Sequence, residues 1–279
     1  MPIKYEFLDR RNFLQQFGAA IAAAGVLKGA GEPELVDNPK GGFRFVKGGG
    51  QFSSGGARAM SGYEIVHVTF ATLPPVRKAF EMIDSHLQER RQPPQALCGV
   101  ELRCPHQFTV PDFAEFNKGY VELIANRGLL FGTSNSVARV NVTKEVDPPA
   151  EVSMYAFSYT EPLQASRPTF LLAATEEAGP YPQGIVARGD VSPSGIRQKL
   201  GQVLTGLDRR LHNLEVIWSD VTAVSLFTAH DVFPLMREVL LPALGPAGKD
   251  GVRWYLSRPP VPEVEIEMSV RGCRQELTI

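Results

Sequence analysis

The stretch VEIEMSVRG, residues 264–272, alternates two kinds of residue. Val264, Ile266, Met268 and Val270 fall on one face of an extended chain, and Glu265, Glu267, Ser269 and Arg271 fall on the other. Two carboxylates on one strand face are either solvated, as charges that discourage edge-to-edge pairing, or aimed at a reacting group. A second pair capable of chemistry is Cys104 and His106, two apart on an expected strand. A thiolate and an imidazole so placed need a third orienting group, so the simpler reading is a buried cysteine beside a packed histidine. His230 and Asp231 read as a helix start. Arg139 and Arg253 also lie on expected strands, where cross-strand ion pairs are their plainest use. ARGDVSPSG (187–195) lacks phosphate-loop spacing and leads into a helix started by Ser192 or Ser194.

The elements that must position these residues belong to a chain of 279 residues, 43% hydrophobic, which is enough for one large or two ordinary domains. Twenty-nine basic against 30 acidic residues, with no basic block, argue against a nucleic-acid partner. Three cysteines without CxxC spacing or a paired histidine cluster imply neither a disulfide scaffold nor a metal site. Near the N-terminus, Arg10 and Arg11 precede Phe13-Leu14 and a short alanine-rich run. This resembles a twin-arginine export signal and implies a periplasmic location without a stable membrane span. The alternatives are an amphipathic helix packed on the domain and a cytoplasmic protein. Lys28 interrupts the apolar run, and no small-x-small cleavage site is evident near residue 30.

Residues 29–62 are rich in glycine and serine and read as a flexible lead-in with at most one short strand, around Phe43 to Val46. From Tyr63 the chain reads twice in the same order, β-α-β-α-β-β. The first pass takes strand 63–73, helix 75–90, strand 98–108, helix 110–126 and strands 136–146 and 150–160. The second takes strand 169–178, helix 192–214, strand 220–228, helix 229–244 and strands 251–258 and 262–270. Arg139 then aligns with Arg253, Glu151 with Glu265 and Met154 with Met268, an arrangement that implies internal duplication. The expected fold is α+β, each unit a mostly antiparallel sheet with two helices on one face. The expected division is an N-terminal segment (1–42), a first domain (43–160) and a second (161–279).

GDVSPSGIRQKLGQVLTGLDRRL, WSDVTAVSLFT and the closing SRPPVPEVEIEM resemble the Rid family of YjgF-like imine and enamine deaminases. The likeness covers the second unit well and the first more faintly. It implies two tandem chorismate-mutase-like domains, a homo-oligomer, a trimer by preference, with active sites in the clefts between subunits, and no cofactor. It also implies hydrolysis of a C=N or enamine bond in a small carboxylate-bearing metabolite. An arginine grips the carboxylate in bidentate fashion and a glutamate orients water. Carried onto this chain, Arg253 is the fork, with Arg258 as the alternative in a shifted register because Arg253 stands closer to the glutamates than the family pattern has it. Tyr255 joins them on the substrate side, and Glu265 or Glu267 is the base. In the first unit Ser153 replaces the second glutamate, so this unit is either partly degenerate in catalysis or contributes Arg139 to a composite cleft and otherwise serves assembly. A non-catalytic metabolite-binding module and a ring-processing enzyme on the same fold are the competing functions.

Overall fold

The computed structural model describes residues 35–48, 51–163, 167–178 and 183–279. Two sheets pack face to face, each carrying helices on its outer side. The first sheet runs in the order β14 (Ser257–Arg258), β8 (Ala138–Lys144), β5 (Leu97–Cys104), β9 (Ser153–Pro162), β4 (Tyr63–Thr69) and β16 (Gln275–Thr278). The second runs β1 (Leu35–Asn38), β2 (Phe43–Val46), β3 (Gly56–Ala59), β10 (Phe170–Leu172), β15 (Glu267–Gly272), β12 (Ala223–Phe227) and β13 (Arg253–Tyr255), with β11 (Thr175–Glu176) also on β15. A small hairpin of β6 (Leu130–Phe131) and β7 (Ser134–Asn135) stands apart.

Helix α1 (Val76–Glu89) buries Val76, Ala79, Phe80, Ile83 and Leu87, the stripe that a helical period places on one face. Helix α2 (Val110–Ala125) starts where the Thr109 side chain accepts the Asp112 N–H and Pro111 needs no donor. The same two devices start α3 (Pro193–Asn213): Ser192 accepts the Gly195 N–H, and Pro193 opens the first turn. Helices α1 and α2 cover the outside of the first sheet through Phe80, Ile83, Tyr120 and Ile124 against Val66, Leu102 and Phe157. Helix α3 covers the second sheet through Leu200, Val203 and Leu207 against Leu226, Met268 and Val270. Between the sheets lie Phe43, Phe45, Ile65, Cys98 and Leu171. The approach is close: a Cβ on Gly99 would fall 2.6 Å from Leu171 Cδ1, so a side chain here requires Leu171 to shift.

This architecture overturns the expected pair of tandem Rid-like, chorismate-mutase-like domains with mostly antiparallel sheets. Both sheets are mixed, with β5/β8, β4/β16 and β12/β13 parallel. Strands also cross between the halves. β14 and β16 come from the second half yet pair with β8 and β4, while β1 to β3 extend the second sheet through β10. Within these mixed sheets β4-β9-β5-β8 and β10-β15-β12-β13 share one order. Strands β1, β2 and β3 form a three-stranded antiparallel meander where the sequence leads one to expect a flexible lead-in, because Phe43 and Phe45 have an inter-sheet core to enter. The expected helix over 229–244 is broken into Phe233–Leu235, a π-helical turn over Met236–Leu240 and Leu241–Leu244. Pro242 removes a backbone donor at that point.

The opening stretch is corrected as well. Regular pairing begins at Glu267, and β15 is the central strand between β10/β11 and β12. Its apolar face meets α3, and its polar face meets the other sheet, so Glu267, Ser269 and Arg271 are all buried. Alternation here marks two unlike interiors, not an inside and an outside. The twin-arginine segment lies outside the described residues; among those described, no helix is long and apolar enough to cross a membrane.

Candidate active site

Alternation on β8 sends Val140 and Val142 toward the second sheet and Arg139, Asn141 and Thr143 toward α2. Three residues apart on α2, Asn117 and Tyr120 share the face that meets them. Arg139 Nη1 donates to Asn117 Oδ1 at 2.8 Å, and the guanidinium carbon lies 4.7 Å from the centre of the Tyr120 ring. The arginine is only 8% exposed and forms no ion pair with any described carboxylate. Its pKa is held below the ordinary value by burial, against the pull of Tyr120, Cys104 and Glu267.

Beside this guanidinium and along the same face of β8, buried polar groups are left with unused donors. Asn117 Oδ1 is taken by Arg139 and Asn141 Oδ1 accepts from Cys104 Sγ at 2.7 Å, so the free ends of both amides are their Nδ2 groups. The Thr143 hydroxyl also has no partner, and the Tyr120 hydroxyl has Asn135 beside it but makes no well-formed hydrogen bond. Buried polar atoms are almost always paired. A buried cation with unused donors beside it and along the same strand face is suited to receive an anion with more than one oxygen.

The carboxylate side comes from the other half of the chain. Glu267 pairs across the sheet with Glu176 on β11, and the Asn141 backbone N–H at the edge of β8 points at its carboxylate. Glu267 is 3% exposed, and its Oε1 has no partner. Burial pushes its pKa well above the carboxylate range and Glu176 pushes it further, while the Asn141 N–H, Arg103 and Arg210 pull back. Burial likewise raises Glu176, to about 7, against Arg210. The Cys104 thiol is driven far above its ordinary value by burial, which keeps it a thiol that donates to Asn141 and not a nucleophile.

A buried clamp holds the approach to β15. Glu177 accepts the backbone N–H groups of Glu265 at 2.6 Å and Ile266 at 2.9 Å, and pairs at 3.3 Å with Lys199, both side chains fully buried. Arg210 Nη1 donates to the carbonyls of Ala173 at 2.9 Å and Ala174 at 2.6 Å. The Ala174 N–H reaches Arg139 O at 3.2 Å, joining the second sheet to the edge of β8.

Of the residues singled out from sequence, Arg139 and Glu267 are brought to this place. Glu265 sits apart with His230 at 2.8 Å and Arg258 at 3.9 Å, and Arg258 is bound to Glu145 at 2.6 Å. Arg253 is 53% exposed and pairs with Glu276 at 3.2 Å. Tyr255 stacks on Phe227 and lies beside Tyr155 near Arg103, between the sheets. Cys104 and His106 do not meet: the exposed His106 contacts Gln107 O instead. Sequence reading passed over Asn117, Tyr120, Asn141, Glu176 and Arg210. The available signal was Arg139-x-Asn141-x-Thr143, a polar strand face, opposite a helix with an asparagine inside its apolar stripe.

Residues 35–277 match the family described as 2-aminomuconate deaminase CnbZ. The chain belongs to the CnbZ family. It is 37% identical over 253 residues to the 2-amino-5-chloromuconate deaminase of Comamonas testosteroni, covering 88% of this chain and all of that protein. These matches replace the Rid resemblance: the V-E-I-E motif is present, but the sequence as a whole matches CnbZ. The CnbZ-family chain is an enzyme of the deaminase or hydrolase kind for a small carboxylate metabolite. Among solved structures, it is similar to a chorismatase (12% identity, TM-score 0.49, covering 86% of this chain and 80% of that one). It is also similar to the cyanuric acid hydrolase from A. caulinodans (11% identity, TM-score 0.37, covering 75% and 66%).

Proposed function

We propose that this CnbZ-family enzyme hydrolytically removes the amino group of a 2-aminomuconate-type dicarboxylate, with one carboxylate docked on Arg139 and Glu267 handling the protons. The reading is carried by one observation: a buried arginine without a described carboxylate partner, with the unused Asn117 Nδ2 and the Tyr120 ring beside it and the unused Asn141 Nδ2 and Thr143 hydroxyl further along the same face of β8. A substrate carboxylate docked there would neutralise the guanidinium and take up the free donor of Asn117.

The raised pKa of Glu267 suits it to start as an acid at neutral pH. Proton transfer from Glu267 to the enamine carbon gives C=NH2+ and leaves Glu267 as a carboxylate. Water then adds to the nitrogen-bearing carbon of the C=NH2+ group, next to the one protonated, its proton going to Glu267. The resulting carbinolamine passes a hydroxyl proton to nitrogen by way of the same carboxyl group, the C–N bond breaks, and ammonia leaves a 2-oxo acid. Water is the only co-reactant. No metal enters this scheme, and no group of three or more metal-ligating side chains occurs among the described residues.

The test is ammonia release and loss of the conjugated absorbance of 2-aminomuconate. Glu267→Gln should abolish turnover and retain substrate binding, while Arg139→Ala should lose binding first. Undiminished ammonia release by Glu267→Gln rejects the reading.

A further inference from the structure

Glu267 is almost completely enclosed, and an enclosed acid that gives and takes protons in every cycle needs a path to solvent. Antiparallel pairing of β11 with β15 sets Glu176 directly opposite Glu267. Partner residues in such a pair project to the same side of the sheet, with Cβ atoms about 4.5–5.5 Å apart. Thr175, next to Glu176, faces the other way, toward Gly206 of α3. The two carboxyl groups therefore share the inner side, and of the two Glu176 is the partly exposed one.

We propose that Glu176 is the proton partner of Glu267: the cross-strand pair carries one proton between its carboxyl groups and exchanges it with solvent through Glu176. This rests on the assignment of Glu267 as the acid of the deamination. Two carboxyls this close cannot both ionise cheaply in a buried setting, so one stays protonated near neutrality. The upward shifts of both residues agree with this. The charged groups facing the pair are Arg210 from α3, Arg103 from β5, Arg139 from β8 and the adjacent Glu177, with the neutral Cys104 thiol nearby. Arg210 favours the ionised form of both carboxyl groups, which limits the pair to one proton rather than two. Glu176 is thus a positioning residue for a proton, acting through Glu267.

The experiment compares the pH dependence of kcat for the wild-type enzyme, Glu176→Gln and Glu176→Asp with 2-aminomuconate. In the wild type the alkaline limb reports loss of the shared proton. Glu176→Gln removes the neighbouring charge, so Glu267 ionises at lower pH: the limb should move down by about one unit or more, and kcat at pH 8 should fall at least tenfold while KM changes little. Glu176→Asp should recover most of the wild-type profile. A wild-type alkaline limb in Glu176→Gln, in a variant that folds with an unchanged KM, overturns the proposal. So does a uniform loss of kcat at every pH. If Glu267→Gln turns over normally, the assignment of the acid fails instead, so the two failures are separable.

Discussion

The Arg139 guanidinium reaches Asn117 Oδ1 at 2.8 Å and has no described carboxylate to neutralise it, although it is almost fully enclosed. A buried cation kept in this state costs stability that a bound anion would return. Arg139→Met should therefore hold or raise the melting temperature while raising KM on the order of 100-fold or more. Arg139→Lys keeps the charge but loses the planar fork and should raise KM by roughly 10-fold or more. Thermal unfolding and steady-state kinetics on the same samples check both, and a destabilised Arg139→Met with normal KM would show the arginine to be purely structural.

Glu267 and Glu176 hold protons more tightly in the folded chain than carboxylates do in the unfolded one. Below the ordinary carboxylate pKa of 4.5 both states are protonated; as pH rises toward about 7, the folded form retains the proton that the unfolded form releases. The stabilisation from these groups is therefore lost as pH rises through that window. Glu176→Gln should gain on the wild type by about 1–3 kcal/mol between pH 4.5 and 7.5. Urea unfolding at a series of pH values measures it, and a constant difference between the two proteins contradicts it.

His67 has the opposite sign. Burial, and then Arg271, lower its pKa from 6.5 to about 4, with Glu101 pulling the other way. The folded chain keeps this imidazole neutral where the unfolded chain protonates it. Its contribution is present above pH 6.5 and disappears as pH falls toward about 4. His67→Asn should flatten the acid side of the stability curve by up to about 3 kcal/mol, read from melting temperatures between pH 4 and 7.

Lys199 and Glu177 are both without exposed side-chain surface. Removing one partner leaves a lone buried charge, so Lys199→Met and Glu177→Gln should each cost about 3–5 kcal/mol. The double variant should cost less than the sum, with a coupling of about 1–3 kcal/mol in a double-mutant cycle. Glu177→Gln should also lower kcat, because the carboxylate that fixes the backbone of Glu265 and Ile266 ahead of Glu267 is gone. Additive losses contradict the clamp.

Local patterns carried much of this molecule. The apolar stripe of Val76, Phe80, Ile83 and Leu87 specified α1, and proline with serine or threonine specified the starts of α2 and α3, because such signals act within one or two turns. The alternation of residues 264–272 marked a strand, but its two faces could not be told apart as wet or dry, since that depends on what packs against them. The partner of that polar face is a whole second sheet. For the same reason Arg253 and Glu265 are as chemically apt as Arg139 and Glu267 in the sequence, yet they turn to Glu276 and His230.

Residue types and spacing by themselves determined that a guanidinium and a strand-borne carboxylate were available, and that strands and helices alternate in two runs. Only the tertiary structure decided which arginine meets which glutamate. β14 crosses to the edge of β8, the Ala174 N–H reaches Arg139 O, and the Asn141 N–H points at Glu267. Those contacts join residues from opposite halves of the chain. Long-range pairings of this kind follow from how two sheets bury their inner faces against each other, a condition on the whole chain that no short window of sequence contains.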